Sequence, residues 1–465
     1  MQDQHLEYDL IVIGSGPAGQ KAALAAAKQR RRVALIERQQ VVGGFCLHTG
    51  TIPSKTLREA VLYLTGHRLH SLYGAAYRIK DRITLDDLTF RVQHVIRCEL
   101  DAIASQLRRN NIDLFYGTAR FASPHIIEVE EKHTTTRLYA KTYVIAVGSQ
   151  PARPAHIPFT PGRVIDSDGI LELPQTPRTM VVVGAGIIGC EYSAIFATLG
   201  VEVTLIDPCT TLLDFVDREI MDALIYHMRT NNVTLRLSEA VDKVFIDERN
   251  QIITELASGK RMISETLLFA VGRQGATDAL NLAAAGLDTD ARGRIPVDEA
   301  YRTEVAHIHA AGDVIGFPAL AATSMEQGRL AACHALGVKA ETYSALAPFG
   351  IWTIPELSMV GETEEQLTRA RVPYEVGVAR YKETAKGLIL GDDSGILKLI
   401  FHRASHQLLG VHAIGERAAE IIHIGQAVMA CASPIEYFVN TVFNYPTLAE
   451  TYKIAAFDGL NKLSA

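Results

Sequence analysis

Residues Tyr8–Glu37 read YDLIVIGSGPAGQKAALAAAKQRRRVALIE, and residues Thr179–Asp207 read TMVVVGAGIIGCEYSAIFATLGVEVTLID. Gly14, Gly16, Gly19 and Glu37 of the first stretch recur as Gly184, Gly186, Gly189 and Asp207 of the second, offset by 170 residues at all four positions. Each stretch opens on a short β-branched run, Ile11–Ile13 or Val181–Val183, which reads as a buried parallel strand. The glycines make a tight turn into a helix and let backbone approach a pyrophosphate. The helix N-terminus then turns unpaired N–H groups and a partial positive charge toward that anion. A second apolar run, Val33–Ile36 or Val203–Ile206, is the next strand. It ends in a carboxylate able to accept hydrogen bonds from ribose hydroxyls. One such fingerprint is weak evidence. Two in register, each with strand, helix and terminal acid, predict an α/β fold with two Rossmann-like nucleotide-binding domains and electron traffic between two dinucleotides.

The rest of the chain is consistent with that frame. Its 465 residues suggest about three domains. With 46 Lys plus Arg against 52 Asp plus Glu, the net charge is -6, which excludes a polybasic nucleic-acid binder. The triple basic run Arg30, Arg31 and Arg32 is expected to close the first helix, where cations suit the negative end of the dipole. Six cysteines (Cys46, Cys98, Cys190, Cys209, Cys333 and Cys431) form no C-x-x-C and fit a reducing cytosol. His307 and His309 are expected to share one face of a strand; with no third ligand, they do not make a metal site. Met1–Leu10 has no basic, apolar signal-peptide pattern. Met180–Gly200 is interrupted by glycines and Glu191, so it reads as a buried strand and helix rather than a membrane span. Ala60–Asn111 reads as helical. Ile112–Val144 reads as short strands with a polar turn at Glu130–Thr136, and Pro151, Pro154, Pro158 and Pro161 mark a linker. Val233–Val271 is again strand-like. Leu346–Ala465 shows strands at Gly395–Phe401 and Leu408–Ile414, then helices: either a dimerisation domain or a further packing layer.

Directly after the first unit comes Val42–Lys55, VGGFCLHTGTIPSK. This segment resembles the flavoprotein disulfide reductase family, which includes lipoamide dehydrogenase and glutathione reductase and carries G-G-x-C-x-x-x-G-C-x-P-S-K here. Ala146–Pro151 (AVGSQP) and Ala270–Arg273 (AVGR) are similar to its two crossing motifs. Ala311–Asp313 (AGD) is similar to its second FAD motif, and Leu320–Arg329 to the helix whose N-terminus faces the flavin. The resemblance implies an FAD-binding domain at 1–150 and 273–345, an NAD(P)-binding domain at 151–272 and a C-terminal α+β dimerisation domain at 346–465. It implies FAD as cofactor, held by Gly14, Gly16, Gly19, Glu37, Gly43, Gly44, Lys55, Ser149, Asp313 and Ala321. It implies NAD and NADP as substrates, met by Gly184, Gly186, Gly189, Glu191, Asp207 and Gly272. A homodimer, or a larger homo-oligomer, would follow, in the cytoplasm, with neither nucleic acid nor membrane as partner.

The departures from the family pattern carry the functional reading. Cys46 stands at the first redox-cysteine position, but Thr51 stands at the second, and a hydroxyl can neither close a disulfide nor supply a thiolate. Near the C-terminus the family's His-Pro pair becomes Tyr445-Pro446 in FNYPTLAE, with Glu450 following. Together these segments are similar to the family's transhydrogenase branch, whose members pass a hydride between NADPH and NAD through FAD alone. Such a transfer needs orientation and electrostatics rather than a protein nucleophile. Lys55 and Glu191 match a family ion pair beside the flavin: either an electrostatic device or a structural salt bridge. Tyr445 and Glu450 either line the flavin's far side from the partner subunit or only hold the dimer together. Cys46 is either a peroxidatic thiol or a small packed side chain; Cys190 and Cys209 read as packed. Asp207 pulls the other way. A carboxylate there favours the free ribose of NAD and repels the 2′-phosphate of NADP, and no basic residue follows until Arg218, which would have to fold back. The competing readings are an NADH-preferring diaphorase, oxidase or peroxidase, and a non-catalytic nucleotide sensor.

Overall fold

The structure is a computed structural model that describes residues 6–74, 76–342 and 346–463. It divides into two compact units. The first is drawn from Met1–Thr56, Thr89–Ala152 and Gly272–Tyr343, and the second from Leu57–Leu88, Arg153–Val271 and Ser344–Ala465.

In the first unit, strand Leu6–Ile13 pairs in parallel with Val33–Glu37 on one side and Thr134–Ile145 on the other. Asp113–Tyr116 extends the sheet beyond Val33–Glu37. Ile126–Glu131 and Thr118–Ser123 extend it at the other end, and Ile308–Ala310 also pairs with Thr134–Ile145. Leu10 and Val12 pack with Ala18, Ala22 and Ala331 on one face, while Ile11 and Ile13 pack with Phe121, Ile127 and Ile295 on the other. Both faces are covered, which is why the run LIVI shows no polar alternation. Helices Pro17–Lys28 and Ala321–Ala335 lie close together: a Cβ on Gly328 would fall 2.0 Å from the Ala18 carbonyl oxygen. The strands Ser149–Pro151 and Arg273–Gly275 form an antiparallel ribbon, and the Ala152 N–H donates to the Gly272 carbonyl at 3.2 Å.

The second unit repeats the parallel plan. Its five strands run in the order Val233–Leu237, Glu202–Asp207, Thr179–Val183, Thr266–Phe269, Val164–Ile165. A three-stranded antiparallel sheet follows from Val241–Ile246, Ile252–Leu256 and Arg261–Ser264. The C-terminal portion is a five-stranded antiparallel sheet, ordered Phe349–Ile351, Leu357–Gly361, Leu408–Ile414, Ile396–His402, Tyr374–Arg380. Helix Glu450–Leu463 lies directly on it, since a Cβ on Gly377 would come 1.9 Å from the Ala455 carbonyl oxygen. Lys398, in the middle of an otherwise apolar strand, is wholly buried. Its ammonium donates to Asp217 at 2.8 Å, lies 3.2 Å from Glu219 and also contacts Glu364. Asp217 caps helix Arg218–Thr230, so one cation joins that helix to the antiparallel sheet.

The α/β class and both Rossmann-like modules match the repeat. Several local expectations do not hold. The helical reading of Ala60–Asn111 breaks: helix Thr51–Thr65 gives way to the short helix His70–Tyr73, and helix begins again only at Leu85–Arg109. Thr84 and Asp87 start it with reciprocal hydrogen bonds between side chain and backbone; Ala75 lies outside the described residues. The turn expected over Glu130–Thr136 is only Lys132–His133, because both strands run on to meet it. The arginines follow the first helix rather than close it. The helix stops at Lys28, Arg30 turns at φ 57°, and Arg32 lies over the Tyr8 ring at 4.7 Å. His307 and His309 do not share a strand face: His307 precedes strand Ile308–Ala310 and stacks on His125, whereas His309 is buried. Phe349–Ile351, Leu357–Gly361 and Tyr374–Arg380 are strands that the C-terminal reading missed. The expected junction at residue 345, like residues 1–5 of the N-terminal stretch, lies outside the described residues. Among the described residues no helix is long and apolar enough to cross a membrane, and no group of three His, Cys, Asp or Glu is placed to hold a metal ion.

Candidate functional site

The two glycine turns are built alike, and each glycine has a separate reason. Gly14 and Gly184 sit at φ 100° and 102°, where side chains are strained, and a Cβ would strike the Ala146 or Ala270 carbonyl at 2.4 or 2.8 Å. Gly19 and Gly189 are demanded by packing, since a Cβ on either would lie 1.8 Å from the oxygen of Gly14 or Gly184. Gly16 and Gly186 are different. Both have ordinary extended backbone, at φ −66° and −72°, and a Cβ on either would meet nothing within 4 Å. The protein's own packing therefore does not require glycine there. An anion drawn up to the helix N-terminus does, because a side chain would fill the space that it needs. Such open space at a helix N-terminus suits an anion, and it occurs once in each unit.

The two acids also behave alike. Glu37, buried, accepts from the Ser15 N–H and hydroxyl at 3.1 and 2.5 Å and from the Gln39 N–H at 2.9 Å. Asp207 accepts from the Ala185 N–H at 2.6 Å and the Cys209 N–H at 2.8 Å. Each carboxylate thus braces its glycine turn while remaining at the end of the second strand. Ser15 also accepts from the Gly43 N–H at 2.9 Å, which ties the first turn to Gly43 and Gly44. The fingerprint hid Ser15 as an unspecified position between glycines.

Gly44–His48 is a short helix that carries Cys46, and Thr51 opens helix Thr51–Thr65. Burial pushes the Cys46 thiol up. A hydrogen bond from the Thr51 side chain and the Lys55 charge oppose this, and the Asp313 carboxylate adds to it. Cys46 is free, like the other cysteines. Cys190 is packed as expected, its thiol donating to the Ala185 carbonyl at 3.3 Å, but Cys209 is exposed because it sits in the turn after Asp207. Lys55 donates to the Ser54 hydroxyl at 3.3 Å.

Further along the first unit, the Ser149 hydroxyl donates to Asp313 at 2.9 Å, and Arg273 donates to the Ser149 hydroxyl and carbonyl, both at 2.8 Å. Ala321 opens helix Ala321–Ala335, whose first turn no side chain caps. The structure therefore gathers Gly14, Gly16, Gly19, Glu37, Gly43, Gly44, Cys46, Thr51, Lys55, Ser149, Gly272, Asp313 and Ala321 in the first unit. Gly184, Gly186, Gly189, Glu191, Asp207, Tyr445 and Glu450 belong to the second. There Glu191 is buried and accepts the Trp352 N–H at 3.0 Å. Tyr445 is exposed, and Glu450, at the start of its helix, has one buried carboxylate oxygen without a hydrogen-bond partner among the described residues. Arg218 does not fold back toward Asp207: its side chain is 83% exposed and faces Asp222 at 3.9 Å.

The family model for pyridine nucleotide-disulphide oxidoreductases matches residues 8–328, and that for the family's dimerisation domain matches residues 347–456. The chain belongs to the pyridine nucleotide-disulphide oxidoreductase family. Its similarity to named relatives runs end to end. It is 54% identical to a soluble pyridine nucleotide transhydrogenase of Mycobacterium bovis over 99% of this chain and 98% of that one. It is 46% identical to one of Azotobacter vinelandii over 98% and 99%. Among solved structures of the family, the HOCl-induced flavoprotein disulfide reductase RclA from Escherichia coli is 28% identical, with a TM-score of 0.87 over 97% of this chain and 99% of that one.

Proposed function

We propose that this chain is a soluble pyridine nucleotide transhydrogenase, which moves a hydride between NADPH and NAD with FAD as its bound cofactor and without a redox disulfide. The observation that carries the proposal is Thr51, hydrogen-bonded to Cys46 at the place of the family's second redox cysteine, in a chain similar throughout its length to relatives of that name. FAD, when bound, supplies the two-electron carrier between the two nicotinamides. The first glycine turn, Glu37, Gly43 and Gly44 would hold its adenine side, and Ser149, Asp313 and the helix opening at Ala321 its ribityl and ring side. Lys55 would place a positive charge beside the ring. The second glycine turn and Asp207 would hold the nicotinamide dinucleotide, and Tyr445 and Glu450 of a partner subunit would complete the pocket. The boundaries 1–150, 151–272, 273–345 and 346–465, a homodimer and a cytoplasmic location are part of the same proposal.

The test is to mix NADPH with thio-NAD under argon and to follow thio-NADH. Steady formation is expected. Turnover of NADH with an artificial acceptor, but no thio-NADH, would overturn the proposal. A second reading, an NADH-preferring diaphorase, is favoured by Asp207 and by the outward-facing Arg218. A peroxidatic Cys46 gains nothing, because burial moves its thiol away from the thiolate.

A further inference from the structure

We propose that Arg273 is a positioning residue that sets the flavin-facing wall and the Cys46–Thr51 loop with one side chain; this rests on the reading that Ser149 and Asp313 receive FAD. Arg273 begins one strand of the ribbon, opposite Pro151. Its Nε–H donates into the Ser149 hydroxyl oxygen and its Nη2–H into the Ser149 carbonyl, both at 2.8 Å. With that oxygen occupied as an acceptor, the hydroxyl proton goes to Asp313, 2.9 Å away. The guanidinium therefore decides which way Ser149 points, through charge-assisted bonds in a fixed fork.

The face of the same guanidinium lies over the Phe45 ring, 3.8 Å from its centroid. On the loop side, Phe45 rests against Gly50, where a Cβ would come within 2.3 Å of the ring. Phe45 precedes Cys46, and Gly50 precedes Thr51, so the stacked ring spans the loop that holds both. A lysine offers charge and a donor but no plane, so it can serve only one of these two contacts.

The test uses the FAD-loaded enzyme and two readouts: FAD release on dilution, followed by flavin fluorescence, and alkylation of Cys46 by iodoacetamide, followed by mass spectrometry with exposed Cys209 as internal control. Arg273→Met is expected to speed FAD release at least tenfold and Cys46 alkylation at least fivefold, with Cys209 unchanged. Phe45→Leu should speed alkylation but leave FAD release within twofold. Should Arg273→Met not fold, Arg273→Lys serves, with faster alkylation and FAD release within threefold of the parent. Parental Cys46 reactivity in the arginine variants, or parental FAD release in Arg273→Met, would overturn the proposal. Asp313→Asn separates this from the site reading: if it too leaves FAD release unchanged, the assignment of Asp313 to the flavin fails; if it speeds release while Arg273→Met does not, only the role of Arg273 fails.

Discussion

Gly186 and Gly189 stand three residues apart and answer to different masters. Gly186→Ala adds a methyl group into open space with ordinary backbone, so stability should stay within about 0.5 kcal/mol of the parent while affinity for NADH falls at least tenfold. Gly189→Ala drives a methyl group into the Gly184 carbonyl and should cost about 1–3 kcal/mol in urea denaturation. Equal stability losses in the two variants would refute the distinction. His309 makes a separate prediction. Burial, outweighing the Asp298 charge, lowers its pKa from 6.5 to about 4, and its Nδ1 has no partner among the described residues. The unfolded chain therefore takes up a proton that the folded chain refuses, and stability falls as pH drops through 6.5 toward 4. Between pH 7.5 and pH 5 that loss is about 2 kcal/mol. His309→Phe should flatten this acid limb, and an unchanged pH slope would contradict the assignment.

At the scale of elements, Lys398 holds strand Ile396–His402 to the capped start of helix Arg218–Thr230. Burial works against its ammonium, but the carboxylates of Asp217 and Glu364 outweigh that and raise its pKa. Lys398→Met strands Asp217 in the interior and should cost about 3–5 kcal/mol, read as a shift of the urea midpoint. The pair variant Lys398→Met with Asp217→Asn should recover part of that loss, and full additivity would argue against coupling. None of this was legible in the sequence. A lysine within ILKLIFH reads as a solvent-facing residue, and its partners come from distant segments. Strand Thr134–Ile145 was legible only as a series of short strands, because its polar first half looks like a loop until it is paired with Ile126–Glu131. The glycine turns, by contrast, were legible apart from Ser15 and the carbonyls of Ala146 and Ala270, since the glycine spacing encodes local geometry. Arg273 fell between these cases: its motif was visible, but its contacts with Phe45 and Ser149 exist only once the chain has folded.

For the whole molecule, two features bear on nicotinamide preference: the relatives are named pyridine nucleotide transhydrogenases, and a carboxylate at the end of the second strand suits an unphosphorylated ribose. Two hydrogen bonds from backbone N–H groups already engage the Asp207 carboxylate, one on each oxygen, which takes up part of its capacity to accept from a ribose. The kcat/KM ratio of NADH to NADPH should therefore stay below about 100, the discrimination that an unengaged carboxylate could exceed. Asp207→Asn should move the ratio toward NADPH. A ratio well above ~100 would make the diaphorase reading the better one.

The ribbon that ends at Ala152 and Gly272 has a consequence for engineering. Segment 153–271 leaves the first unit and comes back to it at one point, two backbone atoms 3.2 Å apart. Everything between residues 153 and 271 is therefore threaded through one doorway. A bridge of two or three glycines could close that doorway without displacing either strand. The middle of the chain is in this sense a cassette: a module from a relative could be spliced in at the same two residues if it keeps an acid for buried Lys398, while the first unit keeps every hydrogen bond of its own.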